Sequence, residues 1–353
     1  TPYMAKSDLY KISGHWDHYK DGMFVLGDEA MDEEVIALRP MTCPFQYLIY
    51  KNGIKSYRDL PCRYNETSTL FRNESSGEMH GLTRVRQFTL SEAHIICAPE
   101  QIEDEFKGVF DLILYMEKCL GISDEISFRF SKWDPKKKSK YINNPKAWTE
   151  TQALMKKILD DIGIDYVEAD GEAAFYGPKL DLQARNVWGK EDTIITIQLD
   201  FAAAERFDMT YVAEDGTRKR PMIIHRSSIG SYERTIAMLI EKYAGAFPVW
   251  MSPNQVKVLA LTDRTADKCR ETVEKLRAHG LRATADLRNE KIGFKIREAQ
   301  LEKTPYMLII GDREAEEGKV SVRGRKTGDL GSMTFDEFVS RIKHEIETFS
   351  SEN

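Results

Sequence analysis

After Pro253 the chain changes its rhythm, and that change constrains the fold more than any other feature of the sequence. Before it, short apolar stretches follow one another with polar, glycine-containing turns between them. Strands are expected at 23–26 and 35–38 around an acidic turn, then at 67–73, 84–97, 126–130, 179–184, 193–201 and 221–225. Helices are expected at 44–52 with Gly53 as the stop, at 100–119 before Gly121, and at 230–243 closed by Gly245 and Pro248. Asp215-Gly216 is a hairpin-turn signal. Strands joined this way predict a mostly antiparallel sheet flanked by helices.

From 256 onward, strands and helices alternate: strand 256–261, helix 266–279, strand 281–286, helix near 292–301 and strand 306–310. Two short strands around Val320 and Leu330 and a helix over about 334–348 complete the run. That spacing predicts a small three-layer α/β domain. The expected class is therefore α+β, with one domain over 1–250 and a second over 251–353.

A chain of 353 residues is long for a single core, which agrees with two domains. No apolar run approaches the roughly 20 residues that span a bilayer, so a membrane protein is excluded. The net charge of -6 argues against a protein made simply to coat nucleic acid, while leaving room for a local basic surface. Five cysteines, at 43, 62, 97, 119 and 269, form an odd set without paired spacing. Reduced thiols and a reducing compartment follow from that pattern. Thr1-Pro2-Tyr3-Met4 is neither a signal nor a transit peptide; it reads like the middle of something, and missing upstream sequence would hide any address.

Two arginine-bearing segments flank a polar loop. Phe71-Arg72-Asn73-Glu74 is expected to end one strand and Arg84-Val85-Arg86-Gln87-Phe88 to begin the next. On a strand, Arg72 and Glu74 share a face, and so do Arg84 and Phe88. Arginine offers a planar fork of donors to a phosphate, a carboxylate accepts from the amine of adenine, and a phenyl ring stacks on a base. Each pair alone also fits an ordinary sheet surface. Gly230-Ser231-Tyr232-Glu233-Arg234 adds an arginine at an expected helix start, where small residues and the helix dipole favour an anion. A solvated surface helix fits the same string.

Together these segments resemble motifs 2 and 3 of the class II aminoacyl-tRNA synthetases: R-x-E, a loop and R-x-x-x-F, then G-x-x-x-R. The resemblance implies Arg72 on the α-phosphate of ATP, Glu74 and Phe88 on the adenine, and Arg84 and Arg234 on the distal phosphates, with Mg2+ accompanying the nucleotide. Fixed arginines such as Arg72 and Arg234 then stabilise a charged pentavalent phosphorus without proton transfer. Pro2 falls where the family's motif 1 proline stands. The helix that usually precedes it and builds the dimer interface lies outside this sequence; a homodimer is what the family implies.

Cys43, His94 and His225 are candidate metal ligands, yet none lies near another in sequence, so no spacing rule identifies a site. A capping cysteine and two core histidines fit equally well. The strings around them resemble those of the threonyl-tRNA synthetases, which implies one zinc ion with an open coordination position in the amino-acid pocket. In that family the metal takes the amino group and β-hydroxyl of threonine, so valine is rejected by chemistry rather than shape. Further matches are Ser13-Gly14-His15-Trp16-Asp17, Tyr57-Arg58-Asp59-Leu60-Pro61, Ala174-Phe175-Tyr176-Gly177-Pro178-Lys179 and Gln198-Leu199-Asp200-Phe201. By resemblance Glu92, Tyr176, Thr196 and Gln198 line the amino-acid pocket, Lys179 contacts the reacting group, and His15 serves the transfer step as a neutral imidazole.

The chain departs from the family pattern in places. Where F-T-Q-D-D-A-H is usual, it reads Phe88-Thr89-Leu90-Ser91-Glu92-Ala93-His94: Leu90 lacks an amide, and Glu92 carries its carboxylate one methylene further than the aspartate that meets the threonine hydroxyl. Thr42, Phe45 and Gln46 replace parts of N-C-P-G-H, and Thr193 stands where a glutamine is common. Zinc binding is expected to survive these changes, and the hydroxyl-recognition wall is where they fall.

In the second domain, Asp286-Leu287-Arg288-Asn289-Glu290-Lys291 leads into a helix bearing Lys295 and Arg297, and Arg323, Arg325 and Lys326 cluster further on. Basic residues hold phosphates while Asn and Glu read base edges, though a solvated charged surface has the same composition. The segment resembles the anticodon-binding domain of class IIa synthetases, which implies anticodon contacts at Asn289, Arg297, Glu314 and Arg323. The partners implied are threonine, ATP and tRNA(Thr), with no DNA and no membrane. A cytoplasmic location is implied, an organellar one being left open by the missing upstream sequence. Two competing readings are the same fold acting on another amino acid and a non-catalytic relative that binds RNA or DNA. Retention of Arg72, Glu74, Arg84, Phe88 and Arg234 argues against the latter.

Overall fold

The computed structural model describes residues 1–31, 34–137 and 139–350. Residues 32–33 of the expected acidic turn, and 351–353 of the second expected domain, lie outside the described residues. The chain forms two compact units, Thr1–Met238 and Leu239–Asn353.

The first unit opens with a three-stranded sheet of β1 (Met4–Lys6), β2 (Val25–Leu26) and β3 (Ile36–Leu38), ordered β1-β3-β2, and with the short helices α1 (Ser7–Ser13) and α2 (His15–Tyr19). Helix α3 (Cys43–Lys51) follows, and Pro44 in its first turn suits a position whose N–H has no helical partner. Then come β4 (Cys62–Phe71), β5 (Gln87–Cys97), α4 (Ile102–Leu120), β6 (Ile126–Lys132), α5 (Pro145–Ile162), β7 (Tyr166–Asp170), β8 (Lys179–Arg185), β9 (Glu191–Asp200) and α6 (Ala203–Arg206). A small hairpin, β10 (Tyr211–Val212) with β11 (Arg218–Lys219), spans the predicted Asp215-Gly216 turn, and Gly216 takes the positive φ of 79° such a turn needs. Strand β12 (Met222–Ser231) and the first turns of helix α7 (Tyr232–Tyr243), which runs across the boundary between the units, complete the first unit.

Seven strands make its main sheet in the order β4-β5-β12-β9-β8-β6-β7, antiparallel throughout except for the parallel β6–β7 pair at one edge. That fits the expected antiparallel sheet flanked by helices. Helix α4 buries Ile102, Phe106, Val109, Phe110 and Ile113, a 3.6-period stripe, and packs against β12. Truncating a ring such as Phe106 in that stripe costs about 3–5 kcal/mol. Gly121 in the left-handed region ends it.

Helix α5 and strand β7 were not expected from the sequence, although α5 carries clear punctuation. Asn144 caps it by accepting from Ala147 N, Pro145 begins it and Gly163 ends it at φ 77°. Its apolar stripe is thin, with Trp148, Met155, Ile158 and Leu159 buried among many charges. Trp148 makes up the deficit, stacking on Trp133 at 5.3 Å with edge contacts to Tyr141 and Phe201.

The second unit holds a five-stranded sheet, β14-β13-β15-β16-β17, from β13 (Val256–Ala260), β14 (Ala283–Asp286), β15 (Tyr306–Ile310), β16 (Lys319–Gly324) and β17 (Gly328–Thr334). Helices α8 (Ala266–Ala278), α9 (Ile292–Leu301), α10 (Asp312–Glu317) and α11 (Phe335–Thr348) connect and cover it. Alternation along β13 and β15 divides the core. Val256, Val258, Tyr306 and Leu308 meet α8 and α11, while Leu259 and Met307 meet Ala299 of α9. Helices therefore cover both faces, as a three-layer domain requires.

Candidate active site

Sheet register assembles the site. His94 of β5 lies opposite His225 of β12, His225 opposite Gln198 of β9, and Gln198 opposite Lys179 of β8. One row across four strands thus joins residues the sequence keeps far apart. Side chains two positions along share the face, so Glu92, Ser227, Thr196 and Asp181 form a second row beside it. Cys43 comes from the first turn of α3.

These residues wall a cavity of about 570 Å³, the size of a small-molecule site. Every site residue expected in the first unit lines it except His94, which is fully buried behind it. At one end are Arg72, Glu74, Arg84, Phe88 and Arg234; elsewhere are Cys43, Glu92, Tyr176, Lys179, Thr196, Gln198, His225 and His15.

The arginine end differs locally from expectation. Strand β4 stops at Phe71 and β5 begins only at Gln87, so Arg72, Glu74 and Arg84 lie in the connecting loop rather than on strand faces. Hydrogen bonds, not pleat alternation, orient them. Arg84 Nε donates to Glu74 Oε2 at 3.0 Å, and the Arg72 guanidinium sits 5.0 Å from the Phe88 ring. The Arg72 Nε is buried with no partner among the described residues. Arg234 donates from Nε to Thr83 O at 3.1 Å and from Nη1 to Thr193 O at 3.0 Å. Burial, then the neighbouring Arg72 and Arg84 charges, lowers the pKa of Arg234. Three guanidiniums converging on one hollow is unfavourable until an anion arrives.

Helix α7 begins at Tyr232; Gly230 and Ser231 are instead the last residues of β12, at a break in its pairing with β5. Gly230 sits at φ 71°, and a Cβ there would come 2.0 Å from Ile194 O. Only glycine allows β12 to turn into α7 at this point. Glu233 then pins the helix start to β5, accepting from Thr89 N at 2.8 and 3.0 Å.

Across the cavity, the donor atoms of Cys43, His94 and His225 all lie within 4.8 Å of one another and all three residues are buried. His94 Nδ1 donates to Gln46 Oε1 at 2.8 Å, leaving Nε2 as a bare lone pair that is buried with no partner among the described residues. His225 Nε2 donates to Asp200 Oδ2 at 2.9 Å, which leaves Nδ1 bare. Burial pushes the His94 pKa well below the usual imidazole range, the nearby His225 adding to it, so the ring stays neutral. Burial likewise raises the Cys43 thiol, aided by Glu92 and Asp200. A thiol and two imidazoles, each imidazole gripped through its far nitrogen, suit a zinc-type cation.

His15 lies in the same wall. Its Nδ1 is 2.8 Å from Ser13 Oγ, and Ser13 donates to Tyr10 O at 3.1 Å. Burial, then His225 and Arg72, lowers its pKa to about 3. Lys179 Nζ donates to Asp181 Oδ1 at 2.9 Å, and the buried Asp181 also accepts from Ser131 and Arg129. The Tyr176 hydroxyl donates to Gln198 Oε1, and the Tyr176 ring stacks on His225 at 4.9 Å.

Sequence reasoning assigned no role to Asp200, Asp181 or Ser13, which hold His225, Lys179 and His15. It also missed His18 and Glu172 in the cavity wall. For the two aspartates a signal existed: each stands two residues along a strand from a named site residue, hence on the same face.

In the second unit, Asn289 and Arg297 are exposed at the turn after β14 and on α9. Arg323 lies opposite Met307, on the α9 face of the sheet, with a buried Nε that has no partner among the described residues. Glu314 caps α10, accepting from Gly311 N at 3.0 Å and Ser321 Oγ at 2.9 Å. Two basic residues depart from the solvent-facing surface expected of them. Lys295 is buried and donates to Ala260 O at 2.7 Å, tying α9 to β13, and Arg325 bridges Lys303 O, Ala246 O and Phe247 O.

Residues 24–243 match the family described as the tRNA synthetase class II core domain (G, H, P, S and T), and residues 255–345 match the anticodon binding domain. The chain therefore belongs to the class II aminoacyl-tRNA synthetases. Within that class its relatives are threonine–tRNA ligases. That of Clostridium botulinum strain Eklund 17B is 67% identical over 348 residues, covering 99% of this chain and 54% of the relative. That of Geobacillus sp. strain WCH70 is 48% identical, covering 98% and 53%. The chain spans about half the length of the curated relatives it matches. A crystal structure described as the RNA binding domain of threonyl-tRNA synthetase from Cryptosporidium parvum superposes with a TM-score of 0.91 at 36% identity, covering 98% of this chain and 84% of that one.

Proposed function

We propose that this chain activates threonine with ATP and transfers it to the 3'-terminal ribose of tRNA(Thr). The observation that carries this reading is one cavity in which three arginines face Cys43 and His225 across one sheet, with His94 completing the donor set just behind the wall. Arg72, Arg84 and Arg234 bind the triphosphate of ATP, which arrives with Mg2+, and Phe88 and Glu74 receive the adenine. The threonine carboxylate oxygen attacks the α-phosphorus, the bond to pyrophosphate breaks, and threonyl-adenylate forms. Arg72 and Arg234 hold the charge that develops on the phosphorus oxygens. Arg234 is already aimed by two carbonyls, so little reorganisation accompanies the step.

Cys43, His94 and His225 would hold zinc, which when bound would supply an electron-accepting centre for the amino group and β-hydroxyl. Tyr176, Thr196, Gln198 and Glu92 form the rest of the amino-acid wall, and Lys179, fixed by Asp181, presents its charge to the reacting carboxylate. In the second step a ribose hydroxyl attacks the threonyl carbonyl, AMP leaves, and His15 Nε2 accepts the hydroxyl proton. Asn289, Arg297, Glu314 and Arg323 contact the anticodon, and the protein acts as a homodimer in the cytoplasm.

The test combines metal analysis with amino-acid-dependent ATP–pyrophosphate exchange on the purified chain. Near-stoichiometric zinc and fastest exchange with threonine are expected. Exchange in which serine or another amino acid outpaces threonine overturns the substrate; no exchange with any amino acid overturns the reaction.

A further inference from the structure

Three of the residues that depart from the family pattern form one hydrogen-bonded unit. The Thr42 N–H donates to Glu92 Oε2 at 2.9 Å and its hydroxyl donates to the same oxygen at 2.7 Å. Gln46 Nε2 lies 3.5 Å from Thr42 Oγ1, while Gln46 Oε1 accepts from His94 Nδ1 at 2.8 Å. The chain of contacts therefore runs from Glu92 through Thr42 and Gln46 to His94. Thr42, Gln46 and His94 are each no more than 2% exposed. A buried polar network of this kind is stable only when its members satisfy one another.

Two atoms of the unit are left without a bond inside it. They are the bare His94 Nε2 and the second Glu92 oxygen, Oε1, and they stand 3.8 Å apart. Glu92 belongs to the cavity wall, and His94 lies buried just behind it beside Cys43 and His225. The longer glutamate side chain is thus held at its tip: Thr42 grips one oxygen and turns the other toward the donor set.

We propose that Thr42 and Gln46 are positioning residues that set Glu92 Oε1 and His94 Nε2 as one rigid pair. In it, His94 Nε2 serves the metal and Glu92 Oε1 accepts a hydrogen bond from the β-hydroxyl of the amino-acid substrate. This rests on the reading of the cavity as a threonine site and adds to it how this chain restores the hydroxyl-recognition wall. Discrimination against valine, which lacks the hydroxyl, then depends on a residue that touches neither substrate nor metal.

The test measures threonine binding to the zinc-loaded chain by calorimetry, zinc affinity by chelator competition, and KM values by pyrophosphate exchange. Thr42→Val keeps the shape and removes the hydroxyl; Thr42→Ser keeps the hydroxyl. Thr42→Val is expected to weaken threonine binding about tenfold, with the KM for ATP and the affinity for valine unchanged, while Thr42→Ser stays within about twofold of the parent. Gln46→Leu is expected to weaken zinc affinity by about 10–100-fold. Thr42→Ala replaces Thr42→Val should the latter not fold. If Thr42→Val binds threonine like the parent while Glu92→Gln does not, the positioning role is overturned and the threonine site stands. If Glu92→Gln also binds threonine like the parent, the assignment of Glu92 to the substrate falls as well. Parent-like zinc affinity in Gln46→Leu overturns the role of Gln46.

Discussion

Ser13 gives its proton to the Tyr10 carbonyl and so offers only a lone pair to His15, which fixes the His15 proton on Nδ1 and leaves Nε2 bare. With its pKa lowered to about 3, the ring keeps that form throughout the physiological range. Ser13→Ala frees the ring to take either tautomer. Transfer to tRNA is expected to slow about tenfold while threonine-dependent pyrophosphate exchange stays unchanged, and nitrogen NMR of His15 should show mixed tautomers. A different residue governs stability. Glu117, near the end of α4, is 2% exposed, and burial raises its carboxyl to about 7 from 4.5. The folded chain holds that proton more tightly than the unfolded one, so the stabilisation is complete below pH 4.5 and is lost as pH rises through 7. Glu117→Gln should therefore be the more stable protein at pH 8, by about 1–2 kcal/mol after allowance for solvent screening at the helix end. Denaturant midpoints at pH 8 and pH 4.5 check this, the gap closing at the lower pH.

At the level of elements, what the sequence revealed and what it hid separate by range of interaction. The strand–helix alternation after Pro253 was legible because its signals repeat locally, and α9 and β15 begin and end at the expected residues. Helix α5 was hidden by its charges, although Asn144, Pro145 and Gly163 punctuate it. Arg72 and Arg84 were recognised through motif spacing, but the strand-face geometry was wrong for them: the Glu74–Arg84 pair and the Phe88 contact, both made across the loop, decide their direction. Gly230 shows the reverse case, a residue whose necessity only the fold explains. Gly230→Ala combines a positive φ with a backbone collision at Ile194 O, and should destabilise the first unit by about 2–4 kcal/mol and raise the KM for ATP by displacing Arg234. Thermal melts and exchange kinetics measure the two effects.

For the whole molecule, the division of labour predicts separable losses. Asn289→Ala with Arg323→Ala removes one exposed amide and one guanidinium from the second unit and leaves the first intact. The KM for tRNA should rise about tenfold, with pyrophosphate exchange unaltered; unchanged charging would remove both residues from the recognition surface. Cys43, His94 and His225 show why no reading of spacing alone could have brought these candidate ligands together. Their neighbourhood is created by strand pairing, and it took resemblance to a known family to suggest it.

The row running through His94, His225, Gln198 and Lys179 has one more implication. A slip of β12 by one residue would turn His225 to the opposite face and present Ile224 or Arg226 in its place. The site is thus an internal gauge of correct assembly, since only the properly aligned sheet can hold its ligands. On the function proposed above, threonine, ATP and zinc supplied during refolding should by mass action enrich that alignment over its misregistered competitors, raising the yield of active protein.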